Sequence, residues 1–283
     1  MTTYTLTMSC KDRPGLVAEV ARQIATSDGN IVEASQFNDP DAEKFFMRVR
    51  FELRSNGNDA FKARFRETAE WHGMNWKLRP AEQRSRVLIL VSKFGHCLGD
   101  LLYRQRIGEL KMDVVGVISN HPREGMNVLG LSDIPFYYLP ITGDTKPSQE
   151  AEIKSLVDRT GAELVVLARY MQILSDDLAG FLAGRCINIH HSFLPGFKGA
   201  RPYHQAHARG VKMIGATAHY VTGDLDEGPI IHQDVEAISH ADSPEDLVRK
   251  GRDIERRVLA RAVQFHLEDR AMLNGSKTVI FSK

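Results

Sequence analysis

VLILV (Val87–Val91) opens a series of short, nearly continuous apolar runs that continues through DVVGVIS (Asp113–Ser119), FYYL (Phe136–Leu139), ELVVLA (Glu163–Ala168) and CINI (Cys186–Ile189). Strands that stay apolar without alternating are covered on both faces, and helical stretches such as Leu98–Leu110 and Ser148–Thr160 separate most of these runs. The pattern predicts a mainly parallel, Rossmann-like α/β sheet whose ligands bind at the carboxyl ends of its strands. Toward the C-terminus, MIGATAHYV (Met213–Val221) and GPIIHQDVEAI (Gly228–Ile238) flank the polar turn Thr222–Glu227 and read as an antiparallel hairpin. An amphipathic helix from Pro244 to about Leu267, with Ser243 as its cap, closes the region.

Before the polar linker AEQRSR the pattern is different. YTLTMS alternates apolar with polar up to Ser9, as a half-buried strand does. Asp12–Gly15 is a turn, and Leu16, Val17, Val20, Ala21 and Ile24 recur at helical spacing up to Asp28-Gly29-Asn30. Ile31–Phe37 and Phe45–Leu53 are strands joined by Asn38–Asp41; Phe61, Phe65 and Ala69 mark a second helix, and Asn75–Leu78 a last strand. The order βαββαβ predicts a ferredoxin-like domain over residues 1–82, followed by the α/β domain over 83–283.

The 283 residues carry 37 Lys+Arg against 36 Asp+Glu, with 12 and 11 of these in the first eighty residues. So even a balance argues against a nucleic-acid carrier, which needs a basic excess. Cys10, Cys97 and Cys186 are far apart, odd in number and without CxxC spacing, which excludes a disulfide framework and predicts a reducing, cytoplasmic setting. No apolar run reaches the roughly 18 residues of a membrane helix, and no export signal opens the chain, so a soluble protein without a membrane partner is expected.

Five histidines, His190, His191, His204, His207 and His219, fall in one short window. Asn188 and His190 end a predicted strand two residues apart, so both side chains share a face at the ligand-binding edge. An amide beside an imidazole suits acyl chemistry: both can hold a developing oxyanion, and the imidazole can also move a proton. Asp226, in the turn GDLDEGP after the strand of His219, is a carboxylate that can tune that imidazole or activate water, although Asp-Glu-Gly is also ordinary turn composition. A metal held by His204 and His207 with His190 or His219 is the competing use of the histidines, but neither HExxH nor zinc spacing occurs and no metal is expected. GHCLG (Gly95–Gly99) is a second competitor, a GxCxG turn with Cys97 as nucleophile, weakened by its distance from the end of VLILV. No Walker loop or GxGxxG is present.

NIHHSFLPGFKG (Asn188–Gly199) and AHYVTGDLDEGPII (Ala218–Ile231) resemble the active-site signature of the folate-dependent formyltransferase family, and LARYMQIL (Leu167–Leu174) resembles its folate-binding segment. The resemblance spans about Arg84 to Leu273. It implies Asn188, His190 and Asp226 as catalytic residues, and a folate bound along Tyr170, Met171, Gln172, Ile173 and Leu174 with His191 and His219 beside it. The glycine-rich phosphate loop of the glycinamide ribonucleotide branch is replaced here by SKFGHCLGDLL (Ser92–Leu102). That segment, ISNH (Ile118–His121) and HHSFLPGFKGARPYHQA (His190–Ala206) are instead similar to the deformylase branch. This implies hydrolysis of 10-formyltetrahydrofolate to formate and tetrahydrofolate without a metal or bound cofactor, balancing one-carbon folate pools and supplying formate for purine biosynthesis. A formyltransferase with an unidentified amine acceptor, and a regulated folate-binding protein, are the alternatives. CKDRPGL (Cys10–Leu16) and the βαββαβ order resemble an ACT domain, which implies an amino-acid effector such as glycine or methionine near Asp12, Gly15 and Asn30 and a dimer or tetramer. Folate is anionic while the chain is nearly neutral, so Arg169, Lys198 and Arg201 are the expected local counter-charges.

Overall fold

A computed structural model of the chain describes residues 1–54, 57–126, 128–194 and 202–282. Two compact units result: Met1–Gln83 with Glu268–Met272 and Val279–Lys283, and Arg84–Leu267 with Leu273–Thr278.

In the first unit, β1 (Thr2–Lys11), α1 (Leu16–Ala25), β2 (Asn30–Asp39), β3 (Lys44–Leu53), α2 (Asn58–His72) and β4 (Asn75–Pro80) follow the expected order. The antiparallel sheet runs β2-β3-β1-β4, the ferredoxin-like arrangement. Leu16, Val20 and Ile24 of α1 and Phe61, Phe65 and Ala69 of α2 recur every three to four residues, so each helix turns one apolar stripe into a core shared with Leu6, Met8, Val49 and Phe51. A half-buried β1 is expected from its alternation, yet Thr5 and Thr7 are buried along with the apolar face. The end of the chain covers part of that polar face. Buried Arg48 donates to the Glu268 carbonyl and pairs with Glu33, which also pairs with buried Arg270, while Asp269 meets Lys77 and Arg79. These long-range ion pairs have no local sequence signature.

The second unit is a seven-stranded sheet. Its strands are β5 (Ser85–Val91), β6 (Met112–Ser119), β7 (Phe136–Tyr138), β8 (Leu164–Leu167), β9 (Cys186–His190), β10 (Met213–Tyr220) and β11 (Ile230–Ala237), in the order β11-β10-β9-β8-β5-β6-β7. Strands β5 to β9 pair in parallel, and β10 and β11 join antiparallel, as the hairpin reading requires. Helices α3 (His96–Arg106), α4 (Lys146–Thr160), α5 (Asp176–Phe181), α6 (Pro202–Arg209) and α7 (Pro244–Leu267) complete the unit. The interiors of α4 and α5 pack on one face through Ile153, Leu156, Val157 and Leu178 against Leu88, Leu90, Val165 and Cys186. Helix α7 packs on β9, β10 and β11 and against α3 and α6. Both faces of the parallel strands are thus covered, which is why their sequences do not alternate. A short hairpin, β12 (Ala271–Asn274) and β13 (Lys277–Ile280), ends the chain. No described helix is long and apolar enough to cross a membrane.

Strand β5 lies in the middle of the sheet, with β6 following on one side and β8 on the other. Successive connections diverge there, leaving a crevice beyond the carboxyl ends of β5, β8 and β9.

Candidate active site

The crevice is lined by Leu167 and Arg169–Leu174 after β8, Asn188–His191 at the end of β9, His219, and Val221–Asp226 in the β10–β11 turn. The spacing argument is realised by the ladder. Strands β9 and β10 place Asn188 directly opposite His219 and His190 opposite Thr217. Asn188 Nδ2 lies 3.3 Å from His219 Nε2. The other His219 nitrogen, Nδ1, is 2.9 Å from the Tyr220 carbonyl oxygen, which can only accept; Nδ1 therefore carries the proton and Nε2 accepts from the Asn188 amide. A bulge between Ala218 and His219 in the pairing with β11 turns the strand at this point.

Asp226 reaches the same spot from the turn. Its backbone is left-handed, with φ 58°, a conformation Asp tolerates better than most residues. Gly228 presses the turn against β10: a Cβ there would stand 1.7 Å from the Tyr220 carbonyl oxygen and 3.1 Å from His219 Nδ1. Asp226 Oδ2 is 3.3 Å from His190 Nδ1, and Oδ1 is 3.7 Å from His219 Nε2. Burial opposes ionisation of this carboxyl, but the hydrogen bond and charge of His190 outweigh it and hold Asp226 well below the usual carboxylate range. With Nδ1 of His190 committed to the carboxylate, its Nε2 is buried and has no hydrogen-bond partner among the described residues. The cleft wall thus presents an ionised carboxylate, an imidazole nitrogen and an amide N–H side by side.

The supports of these groups were not visible in the sequence. Buried Thr217 accepts from Leu194 N and Gln233 Nε2 and donates to the Ser192 carbonyl, which fastens the segment after His190. Ser92, at the end of β5, donates to Asn120 and accepts from Met171 N, while its own N–H donates to the Arg169 carbonyl. Gln149 donates to the hydroxyl of buried Tyr170, and Glu150 accepts from both the N–H and the hydroxyl of Ser175. The Arg169–Ser175 strap is therefore pinned at both ends, with Met171 and Ile173 exposed.

The competing uses of these residues fare differently. His204 and His207 are exposed on α6, whereas His190 and His219 are buried in the sheet. Among the described residues, the one group with metal-ligand spacing is His96, Cys97 and Glu255. There Glu255 already accepts from Tyr203 Oη at 2.7 Å, lies 2.7 Å from His96 Nε2 and stands 3.4 Å from Arg169 Nε. Cys97 is 1% exposed, and burial together with Glu255 pushes its thiol well up, so a thiolate nucleophile is not available. Cys97→Ala is expected to leave turnover within about twofold of wild type; a loss comparable to that of an oxyanion donor would restore the thiol reading. Lys198 and Arg201 lie outside the described residues.

His191 stands beside His190, with ring centroids 5.2 Å apart. Burial, then the charges of Arg169 and His190, lower its pKa from 6.5 to about 4. Between those values the unfolded chain binds a proton that the folded chain refuses, so stability falls as pH drops from about 6.5 to about 4. The Tm of His191→Phe should therefore depend less steeply on pH than that of wild type in this window. Parallel melting curves check it.

The effector residues are separated by the sheet register. Lys11 pairs with Lys44, and Asn30 with Glu52, so Asp12 and Asn30 lie at opposite ends of β3, about 27 Å apart along it. Within the chain it is Asn38, not Asn30, that meets Asp12, donating to both carboxylate oxygens at 2.9 Å. Gly15, with φ 91°, begins α1.

Residues 85–263 match the formyl transferase family. The chain is 50% identical over 279 residues to the formyltetrahydrofolate deformylase of Corynebacterium sp. strain P-1, covering 98% of this chain and 97% of that one. It is 44% identical to the deformylase of Bacillus subtilis, over 98% and 93% of the two chains. Among solved structures, the formyltetrahydrofolate deformylase of Burkholderia mallei matches at 50% identity and TM-score 0.95 over the whole of both chains. A glycinamide ribonucleotide transformylase from Symbiobacterium toebii matches at 30% identity and TM-score 0.65, over 70% of this chain and 95% of that one.

Proposed function

The chain belongs to the formyltetrahydrofolate deformylase family and hydrolyses 10-formyltetrahydrofolate to formate and tetrahydrofolate; we propose that Asn188, His190 and Asp226 carry this reaction. The observation behind the assignment is the contact of an ionised Asp226 with His190 Nδ1 beside the Asn188 amide, at the strand-end crevice. The pterin lies along Tyr170–Leu174, against the exposed apolar side chains of Met171 and Ile173 and the main chain that Ser92 holds in place.

Asp226 orients a water molecule and takes its proton as the oxygen bonds to the formyl carbon. The resulting oxyanion accepts from the second Asn188 amide hydrogen and from Nε2–H of protonated His190. His190 then passes its Nε2 proton to the folate nitrogen as the C–N bond breaks; of the two protons left on Asp226 and on the formic acid, one returns to His190 and the other goes to solvent, leaving formate and tetrahydrofolate. His219 holds the Asn188 amide in the orientation this requires. No cofactor is called for in these steps. Purified protein incubated with 10-formyltetrahydrofolate in amine-free buffer should release formate and tetrahydrofolate in equal amounts; folate binding without turnover would support a sequestering protein instead.

The ferredoxin-like unit is read as an ACT domain that binds glycine or methionine. Because the register separates Asn30 from Asp12 and Gly15, such a site combines residues of two copies, in a dimer or tetramer. Glycine or methionine should then raise the Tm and change the rate; no change with either removes the support for a sensor. The three cysteines are all buried and unpaired, which favours a reducing cytoplasm as the place of action.

A further inference from the structure

We propose that Arg169 holds a carboxylate in the catalytic cleft, the formate left behind by hydrolysis; the inference rests on the deformylase reading above. Hydrolysis turns a neutral formamide into an anion in the cleft of Asp226, which is ionised again once it has passed its proton on, so the product is left next to a like charge. A counter-cation is needed to hold it there. Arg169 is the one Lys or Arg among the described residues that line the cleft.

Its side chain is 10% exposed and incompletely satisfied. Nε stands 3.4 Å from Glu255 Oε2 in a geometry that makes no hydrogen bond, and Nη1 is buried with no partner among the described residues. Glu255 gives its better contacts to Tyr203 and His96, each at 2.7 Å. Unused donors on a buried guanidinium are costly, and native proteins rarely leave them so unless something binds there. Glu255 therefore acts as a pedestal that keeps the guanidinium in place, while Nη1 is left without a partner among the described residues. Tyr203 reaches this pedestal by crossing α7 at Gly251, where a Cβ would stand 2.1 Å from the ring.

The backbone points the same way. Arg169 adopts φ 65°, which non-glycine residues rarely do, and it is held there by Ser92, whose N–H donates to the Arg169 carbonyl. Strain of this kind persists where the surroundings impose it, commonly at binding sites.

Folate's own glutamate carries the same carboxylate chemistry, so the experiment separates the two sources. Formate is titrated as a product inhibitor of 10-formyltetrahydrofolate hydrolysis by wild type, Arg169→Gln and Arg169→Lys, with melting curves to confirm that each folds. In parallel, ¹³C-formate binding to wild type saturated with tetrahydrofolate is followed by NMR. If the seat is for formate, the formate inhibition constant rises about ten- to hundredfold in Arg169→Gln and less in Arg169→Lys, with KM for the folate nearly unchanged. A raised KM with unchanged formate inhibition places the glutamate at Arg169 and overturns the proposal. So does wild type that turns over but binds no formate in the NMR titration, which also covers the case of a variant that does not fold. A wild type that releases no formate at all contradicts the deformylase reading instead.

Discussion

Asp226→Asn lowers formate release by at least about 10³-fold while 10-formyltetrahydrofolate still binds. The argument begins with the turn: Asn adopts the left-handed backbone of this position as readily as Asp, so the hairpin and Gly228 stay where they are. The amide is close to the carboxylate in size but cannot take a proton from water. It also replaces the carboxylate that His190 Nδ1 faces at 3.3 Å with a weaker acceptor, so the ring that must donate to the leaving nitrogen is held less firmly. Both losses fall on the transition state, so kcat drops much more than KM rises. Stability carries a second signature. The Asp226 carboxyl is held below its ordinary pKa of 3.8, so the stability it contributes is present above that value and is lost as pH falls toward the depressed one. The difference in Tm between wild type and Asp226→Asn should shrink accordingly as the solution is acidified. Single-turnover formate release, with folate binding measured separately, checks the first part; a variant with near-normal turnover would remove Asp226 from the mechanism.

Asn188→Ala lowers kcat by about 10²–10³-fold, the usual cost of deleting one oxyanion donor. The amide sits opposite His219 in the ladder and gives one hydrogen to Nε2 of that ring, which leaves the second hydrogen for the substrate oxygen. That oxygen gains its charge only as water adds, so the lost interaction belongs to the transition state and folate affinity changes little. The truncation also frees the His219 ring on one side. His219→Gln in the same assay is therefore informative: it keeps Asn188 but removes the ring that orients it, and its turnover should lie between wild type and Asn188→Ala. Equal folate affinity across the three proteins, measured by fluorescence titration, separates loss of catalysis from loss of binding.

Much of this site could be read before the fold was known because it depends on local periodicity. A strand side chain returns to the same face every second residue, so NIH at the end of CINI already placed Asn188 and His190 together. GDLDEGP between two alternating runs already read as a hairpin turn, which carries Asp226 back to the strand of His219. Its distance from His190 was not legible, because it depends on β10 pairing antiparallel with β9 in the one register that sets His219 against Asn188.

The supports were hidden for the same reason. Thr217, Gln233 and Ser92 look like ordinary strand and loop residues until the ladder brings them to the cleft. Glu255 did leave a trace: it is a carboxylate within the stripe of α7 that otherwise buries Gly251, Ile254, Val258 and Ala262. A charge in an apolar stripe asks for partners, and here they are His96, Tyr203 and Arg169. The return of Glu268–Met272 to the first unit left no such trace, because ion pairs such as Arg270 with Glu33 and Arg79 with Asp269 join residues whose charges look solvated in sequence.

The most direct measurement runs the reaction in H₂¹⁸O with 10-formyltetrahydrofolate and no amine. If Asp226 directs water onto the formyl carbon, formate appears in step with tetrahydrofolate and carries one solvent oxygen per molecule. Formate that appears only after an amine is added, or formate without the solvent label, would contradict direct hydrolysis at this site.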